Sequence, residues 1–273
     1  MARKAAAGRP RSVTLEPIQY LLGTASGGLV GFTLGLVGGG GSILAVPLMV
    51  YLVGVANPHI AIGTSALAVA ANAATGLANH SRANNVKWRC GGIYAAAGIF
   101  GAFGGSTLGK MVDGEKLLFL FALVMLLVAA LMLKGRGNAG NPGAECNREK
   151  VPKVAGYGLA SGIFSGFFGI GGGFLIVPGL VASTGMPILL AVGTSLVAVT
   201  AFGLTTAINY AFSGLVDWPL AAVFVVGGVG GSFAGTRLAR HLGAQTGRLT
   251  IVFATLILAV AMYMLWRSAG AFR

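Results

Sequence analysis

Long apolar runs separated by short polar segments dominate the sequence. No acidic or basic side chain occurs between Glu16 and Arg82, or between Lys153 and Asp217. Each of these two stretches suffices for about three bilayer crossings, because about 20 helical residues span the ~30 Å hydrocarbon core. The runs are continuously apolar rather than alternating, and they therefore predict membrane helices rather than the strands of a β-barrel.

The apolar runs define a set of predicted helical segments: 17–37, 42–54, 60–79, 90–109, 117–134, 155–169, 173–183, 188–208, 219–236 and 249–266. Glycine interrupts two longer stretches, 17–54 and 155–183, and we count each of them as one broken helical unit. The sequence thus predicts an all-α polytopic transmembrane bundle of two homologous halves with about four helical units each. The predicted order is a basic cytoplasmic tail, a first transmembrane repeat, a basic cytoplasmic linker, a second repeat and a short tail: 1–16, 17–134, 135–154, 155–266 and 267–273.

The second half of the chain repeats landmarks of the first half. At an offset of 131 or 130 in the numbering, the recurrences are Gly27 with Gly158, Gly31 with Gly162, Gly35 with Gly166, Pro47 with Pro178, Gly63-Thr64-Ser65 with Gly193-Thr194-Ser195, Asn79 with Asn209 and Trp88 with Trp218. A further glycine triplet recurs at an offset of 126: Gly101, Gly105 and Gly109 with Gly227, Gly231 and Gly235. Internal duplication is the plan of many secondary transporters, whose substrate site lies at the repeat interface. A duplicated bundle in a signalling or assembly protein is the alternative.

The composition supports a membrane protein. Hydrophobic residues make up 55% of the 273 residues and charged residues only 9%, whereas soluble domains carry about 25% charged residues. The formal net charge of +13 alone would also suit nucleic acid, but the basic residues lie at the ends of apolar runs and suit a membrane surface. We expect a multi-pass protein of the inner (plasma) membrane. The two cysteines, Cys90 and Cys146, suggest neither a metal site nor a disulfide framework.

Basic loops predict the orientation of the chain, because Lys and Arg favour the cytoplasmic side. The N-terminal tail, the 80–89 loop and the central linker all carry such residues. All three are predicted to be cytoplasmic, provided that the broken unit crosses the membrane once. The basic 237–248 loop would then face outward, against the rule. Two interpretations remain, namely a local exception at this loop or a broken segment that re-enters without crossing.

Each half contains a glycine-rich break within an apolar stretch, followed by a proline. The residues concerned are Gly38, Gly39, Gly40, Gly41, Ser42 and Pro47 in the first half, and Gly169, Gly171, Gly172, Gly173 and Pro178 in the second. Bare backbone in a bilayer must be buried in protein or line a cavity, so the breaks predict discontinuous helices that face a central cavity. Freed N–H groups and the helix dipole would bind an anion there. A flexible kink or a close helix crossing is the alternative.

Polar side chains within the apolar runs are few and uncharged. Four hydroxyl residues lie near helix starts, where they either cap the helix or contact a ligand: Thr64, Ser65, Thr194 and Ser195. Three amides are expected to form interhelical hydrogen bonds: Asn72, Asn79 and Asn209. No Lys, Arg, Asp or Glu lies well inside a predicted span, which argues against a carboxylate proton relay or sodium site. This pattern suits a weakly held anion.

Together, the broken first helix of each half, the proline that follows it, the Gly-Thr-Ser helix starts and the paired Trp loops resemble the TauE/SafE family of sulfite exporters, also called sulfonate uptake permeases. The resemblance covers about 17–134 and 155–266. It implies an inner-membrane transporter of sulfur-containing or related organic anions, including sulfite and sulfonates. The positions that match the family's motif regions are Gly38 to Ser42, Pro47, Thr64, Ser65, Gly169 to Gly173, Pro178, Thr194 and Ser195. Gly173 stands where the first half has Ser42, so this hydroxyl has no counterpart.

The sequence therefore predicts alternating access, with an anion held by broken-helix N-termini and hydroxyls between the halves. An anion channel and a transport-inactive assembly or sensor protein are the alternatives. An intramembrane hydrolase is disfavoured, because only Ser42 and the distant His80 hint at a nucleophile and a base. We expect no enzymatic activity, no cofactor and no metal ion. The expected partners are a small anion and the lipid bilayer, without nucleic acid, and a homo-oligomer is left open.

Overall fold

The computed structural model describes residues 17–134, 146–169, 173–241, 255 and 257–267. In this part of the chain the secondary structure is entirely helical. The helices are α1 (Pro17–Val37), α2 (Ala45–Pro47), α3 (Pro58–Arg82), α4 (Trp88–Met111), α5 (Gly114–Lys134), α6 (Val151–Phe168), α7 (Gly173–Thr184), α8 (Ile188–Ala211), α9 (Trp218–His241) and α10 (Ile257–Arg267). A 3₁₀ segment, Gly38–Leu44, precedes α2, and a π-helical turn, Leu48–Leu52, follows it.

Among the described residues, four helical segments are long and apolar enough to cross a membrane: Pro17–Leu52, Pro58–Arg82, Ile188–Ala211 and Trp218–Leu238. The prediction of an all-α transmembrane bundle is confirmed. Local signals explain where α3 begins, since the Asn57 side chain accepts a hydrogen bond from the His59 N–H at 2.9 Å and Pro58 occupies the first turn. The exposed rings of Trp88 and Trp218 begin α4 and α9, as expected for aromatic anchors at a membrane surface.

The first broken segment folds back on itself. The Gln19 side chain at the start of α1 donates a hydrogen bond to the Val53 carbonyl at 3.2 Å, and Thr33 near the end of α1 donates to the Gly41 carbonyl at 3.3 Å. A straight helix of 36 residues would measure about 54 Å, far more than the hydrocarbon thickness. The segment Pro17–Leu52 is therefore a hairpin whose two ends meet, and we call it the first hairpin.

The second broken segment has the same form. Lys150, just before α6, donates from its ammonium group to the Thr184 carbonyl at the end of α7, at 3.0 Å. Lys150 and Thr184 are the repeat counterparts of Gln19 and Val53, because both pairs are related by the offset at which the sequence repeats. We call Val151–Thr184 the second hairpin. Both broken segments re-enter, which answers the question that the hydropathy pattern left open.

Contacts between helix ends define two ends of the bundle. At the proximal end, Gln19 meets Val53, the Thr64 hydroxyl meets the Asp217 N–H, and Lys110 binds Ser213. At the distal end, the Lys87 N–H meets Thr194, Lys150 meets Thr184, and Cys90 is disulfide-bonded to Cys146. The first hairpin starts and finishes proximally, whereas the second starts and finishes distally.

The placement of the basic segments corrects two expectations. The start of α1 is proximal, while the 80–89 loop and Lys150 are distal, so the chain does not enter α1 from the end at which this loop and Lys150 lie. The physical reason is that the first hairpin returns the chain to the end at which it started, so the first broken unit does not cross the membrane. The last turns of α9, which include Arg237, are distal as well, because α9 begins just after Asp217 on the proximal end and runs through the bundle. The described part of the basic 237–248 loop, up to His241, thus lies at the same end as the 80–89 loop and Lys150.

The cysteines also depart from expectation. Cys90 in the first turn of α4 forms a disulfide with Cys146, and their Cα atoms are 5.5 Å apart. Both residues are buried. The bond ties the linker to the distal end of α4. The sequence did not predict this disulfide, because the chain has only two cysteines, 56 residues apart. Cysteine spacing indicates pairing only where several cysteines form a recognisable pattern.

Glycines allow two pairs of helices to pack in direct backbone contact. On α1, an added Cβ at Gly27, Gly31 or Gly35 would clash with the α9 carbonyls of Phe224, Gly228 and Ser232, respectively. On α6, an added Cβ at Gly158, Gly162 or Gly166 would clash with the α4 carbonyls of Tyr94, Gly98 and Ala102, respectively. Small residues in membrane helices permit such close approach. In both pairs the residue numbers rise together, so the helices run in parallel.

These contacts correct the alignment of the third glycine triplet. The packing equates Gly101 with Gly231 and Gly105 with Gly235, at an offset of 130, because each pair faces equivalent carbonyls of the partner helix. The offset of 126 inferred from the sequence is wrong by about one helical turn. The error arises because the glycines recur every four residues, so the two triplets align equally well when one is shifted by four positions.

Candidate substrate site at the two hairpin tips

The tip of the first hairpin is a buried 3₁₀ segment. All residues of Gly38–Leu44, including Gly40, are buried. Gly38 has φ +72°, a left-handed conformation that favours glycine, and a Cβ there would lie 2.7 Å from Val192 of α8. The chain therefore breaks at Gly38 because the backbone must turn left-handed in a space that admits no side chain.

The second hairpin breaks in the same way. Gly169 ends α6 with φ +68°, and a Cβ on it would clash with Ile62 of α3. Ile62 and Val192 are themselves equivalent positions of the two repeats. The predicted site residues Gly171 and Gly172 lie outside the described residues, so the second tip is described here by Gly169 and Gly173.

The two tips touch each other through glycine backbone. A Cβ on Gly39 would lie 2.7 Å from the Gly173 Cα, and a Cβ on Gly173 would clash with the Gly39 carbonyl. A Cβ on Gly39 would also lie 2.7 Å from Val199 in the middle of α8. The sequence predicts that the glycines of both breaks belong to one site. In the structure, Gly39 and Gly173 are in contact.

The hydroxyls of Ser42 and Ser195 contact the first tip, and that of Ser65 bonds to Ile62, which lies against Gly169 of the second tip. The Gly39 N–H donates to the Ser195 Oγ at 3.2 Å, and the Ser195 hydroxyl donates to the Val192 carbonyl at 2.7 Å. The Ser42 hydroxyl donates to the Gly39 carbonyl at 2.9 Å, and Ser65 donates to the Ile62 carbonyl at 3.0 Å. Each proton is therefore held by a carbonyl within the same helical turn. An anion at the tips would have to draw these donors away from their present partners.

Thr64 and Thr194 make a different set of contacts. The Thr64 hydroxyl accepts from the Asp217 N–H and the Thr194 hydroxyl from the Lys87 N–H, both at 2.9 Å. Asp217 and Lys87 immediately precede α9 and α4, so each threonine satisfies a free N–H at a helix start. Substrate contact by these two threonines stays a prediction, and their bonds give them a structural task in this conformation.

The residues predicted to be structural occupy varied places. Pro47 is buried in α2, whereas Pro178 is exposed within α7. The Asn209 amide donates to Ser106 at 2.6 Å and to Thr107 at 3.0 Å, and it accepts from Lys110 at 2.8 Å. This fits the predicted interhelical role. Lys110 was not singled out by sequence, although its place at the end of a membrane helix is a common one for a cation that bonds backbone carbonyls.

The described tip residues Gly39 and Gly173 pack directly on each other, so no open space separates these two residues in this conformation. The central cavity that the sequence predicts stays a prediction. Two cavities lie at the ends of the bundle. The proximal one measures about 750 Å³ and includes His59, Lys110 and Glu115 in its lining, and the distal one measures about 280 Å³ and lies beside Lys87.

Comparison with known proteins identifies the family of this fold. A family model described as "Sulfite exporter TauE/SafE" matches residues 23–264, which include both hairpins and the helices that hold them. The chain belongs to the TauE/SafE family. No solved structure matches it significantly.

Relatives of this TauE/SafE chain carry transporter names. A "Probable membrane transporter protein" of Xylella fastidiosa (strain 9a5c) is 52% identical over 259 residues, covering 94% of this chain and 98% of the relative. The "Probable membrane transporter protein YdhB" of Bacillus subtilis (strain 168) is 28% identical over 212 residues, covering 77% of this chain and 86% of the relative. The TauE/SafE chain is a membrane transporter.

Proposed function

We propose that this TauE/SafE chain is a secondary transporter of sulfur-containing or related organic anions, such as sulfite and sulfonates, that works by alternating access. The anion is held between the two hairpin tips. The observation that carries the proposal is the contact between Gly39 and Gly173, in which two buried tips from different halves of the chain meet in the protein interior. The family name, a sulfite exporter, supports the substrate class.

The arrangement of the hairpins supports alternating access. In each half a hairpin is followed by two long helices, α3 and α4 in the first and α8 and α9 in the second, and the first half starts proximally while the second starts distally. Such halves are inverted repeats, the plan of several secondary transporters with a substrate site near the midplane. A rocking motion of one half against the other would expose the tips first to one end and then to the other.

The chemistry of the tips suits a loosely held anion. The polar groups at the first tip are backbone N–H groups and the hydroxyls of Ser42 and Ser195, and Ser65 bonds to Ile62 beside Gly169 of the second tip. Neutral donors compensate an anion without the tight binding of a buried Lys or Arg, so release is fast. The glycine contact between the tips also favours a carrier over a channel, because the site must open before an ion passes.

We propose that the N-terminus is cytoplasmic and that the distal end faces an oxidising compartment. Basic residues before the first membrane helix usually dominate orientation, and disulfides such as Cys90–Cys146 persist outside the cytoplasm. The distal residues Arg82, Lys87 and Arg237 count against this orientation under the positive-inside rule. Impermeant maleimide labelling of sealed, right-side-out vesicles after mild reduction tests it. Labelling of both cysteines supports the orientation, and protection of both in these vesicles, together with labelling of both in inside-out vesicles, contradicts it.

Counterflow in proteoliposomes tests the transport proposal. Proteoliposomes that contain the protein and are loaded with unlabelled sulfite should take up radiolabelled sulfite. Taurine, sulfoacetate, sulfate, thiosulfate and acetate serve as competitors. The Gly173→Ala variant should lose exchange, because the added methyl separates the tips. Gly104→Ala is the matched control, since an added Cβ there meets nothing within 4 Å. Folded wild-type protein that exchanges none of these anions would contradict the substrate class.

A further inference from the structure

One amide in the middle of α3 lacks a hydrogen-bond partner in the described part of the chain. Asn72 is fully buried, and both its Nδ2 and its Oδ1 are unpaired among the described residues. The sequence analysis expected an interhelical hydrogen bond here. An unpaired amide is costly anywhere in a protein interior and more so within a membrane, where water is scarce. The position therefore calls for a polar partner that binds to the protein.

A second unpaired group lies on the neighbouring helix. The Asn72 amide lies against Gly228 of α9, where an added Cβ would clash with Nδ2 and Oδ1. Ser232, one turn further along α9, is fully buried, and its hydroxyl bonds to no residue that the structure describes. A Cβ on Gly76, one turn after Asn72, would lie 3.5 Å from the Ser232 Oγ. Asn72 and Ser232 thus lie on the same α3–α9 interface, about one turn apart.

This interface adjoins the first hairpin tip. A Cβ on Gly76 would also lie 3.4 Å from Leu196, and the residue before it, Ser195, accepts the Gly39 N–H. From α1, Gly35 packs against the Ser232 backbone just before the break at Gly38. The two unpaired groups therefore lie beside the tip rather than at a remote place.

The equivalent place in the other half is apolar. Phe202 and Ala102 are the repeat counterparts of Asn72 and Ser232, respectively. The Phe202 ring occupies the space over Gly98 that the Asn72 amide occupies over Gly228. Packing alone thus admits an aromatic side chain at this position, and it does not explain why an amide and a hydroxyl stand in the first half.

We propose that Asn72 and Ser232 form an oxyanion subsite beside the first hairpin tip, a proposal that rests on the transport function above. The Asn72 Nδ2 offers two N–H donors and Ser232 one O–H donor to the same sulfite or sulfonate group. The Asn72 Oδ1 accepts from a hydroxyl or N–H of the substrate or from water. The apolar Phe202 environment gives the other half no such subsite, so the bound anion lies closer to the first hairpin.

The test compares Asn72→Leu and Ser232→Ala with two controls. Asn209→Leu removes a buried amide that is fully paired, and Phe202→Leu alters the equivalent position of the other half. The readouts are the melting temperature without ligand, the melting shift caused by sulfite, and the half-saturation concentration for sulfite counterflow. We expect Asn72→Leu to melt higher than the wild type, to lose the sulfite-induced shift, and to need about tenfold more sulfite, since hydrogen bonds to charged groups are strong. Phe202→Leu should keep the wild-type half-saturation.

Several outcomes would overturn the subsite. An unchanged half-saturation in both Asn72→Leu and Ser232→Ala, with exchange intact in the wild type, contradicts the subsite and leaves the transport proposal standing. A lower melting temperature of Asn72→Leu, matching that of Asn209→Leu, with an unchanged sulfite shift, means that Asn72 is structural or holds only water. If Asn72→Leu does not fold, Ser232→Ala decides by the same half-saturation measurement. A wild type without exchange or sulfite-induced shift contradicts both proposals together.

Discussion

The two hairpins share a backbone and differ in a few side chains. Both return to their starting end through one hydrogen bond, Gln19 to Val53 in the first and Lys150 to Thr184 in the second. Both break at a glycine with positive φ and pack on a parallel helix through glycines. Polarity, in contrast, is unequal, because the first half has Ser42 at its tip where the second has Gly173. The comparison teaches that the two hairpins share the geometry of their tips and differ in a few unmatched polar groups, to which we assign the choice of substrate in the proposal above.

The largest expected effect comes from the glycine contacts shared by the two halves. Gly31→Ala and Gly162→Ala should each destabilise the protein by about 3 kcal/mol, because the added methyl meets backbone that has no room to move. Melting temperatures of the two purified variants measure the effect. Gly104→Ala, whose methyl points into open space, should be neutral. A large loss of stability in one variant and none in the other would contradict the view that the two halves pack in the same way.

A smaller effect distinguishes two asparagines at equivalent positions. Asn209→Leu should lose about 2 kcal/mol of stability, because Ser106, Thr107 and Lys110 each lose a partner. Asn79→Leu should lose less, since the Asn79 Nδ2 is unpaired within the described chain although the two residues are equally buried, each 7% exposed. Thermal unfolding of both variants in the same detergent makes the comparison. Equal losses would mean that these hydrogen bonds contribute little.

The smallest effect concerns the two threonines at helix starts. Thr64→Val and Thr194→Val should each lose about 1 kcal/mol, because each deprives one N–H, that of Asp217 or Lys87, of its acceptor. Valine has nearly the same shape, so packing is preserved. Counterflow by the folded variants shows whether either hydroxyl also contacts the anion. A strong loss of exchange with unchanged stability would move that threonine from the structural set to the substrate site.

The sequence predicts the helices well because hydropathy determines them. The predicted 17–37 coincides with α1, and the glycine-rich breaks begin where Gly38 and Gly169 turn left-handed. Hydropathy shows which residues lie in the membrane but not in which direction the chain runs there. It therefore could not distinguish a hairpin from a helix that crosses the membrane. The bond between Gln19 and Val53 depends on tertiary structure that the local pattern does not encode.

The candidate site is only partly accessible to sequence reasoning. The glycines and Ser195 were found by repetition and composition, and the structure brings Gly39, Gly173 and Ser195 together. The unpaired state of Asn72 among the described residues could not be predicted, because an amide in a membrane helix normally finds a partner on a neighbouring helix. That state becomes visible only when α9 is placed beside α3.

The central claim is that the two hairpin tips form a site open to each side of the membrane in turn. A Ser42→Cys variant tests it directly, since it places a thiol at the first tip while Cys90 and Cys146 remain bonded. An impermeant thiol reagent is applied to right-side-out and to inside-out vesicles, with and without sulfite. The account predicts slow labelling from both sides, and slower labelling when sulfite is bound. Labelling from one side only, at a rate that sulfite does not change, would contradict it.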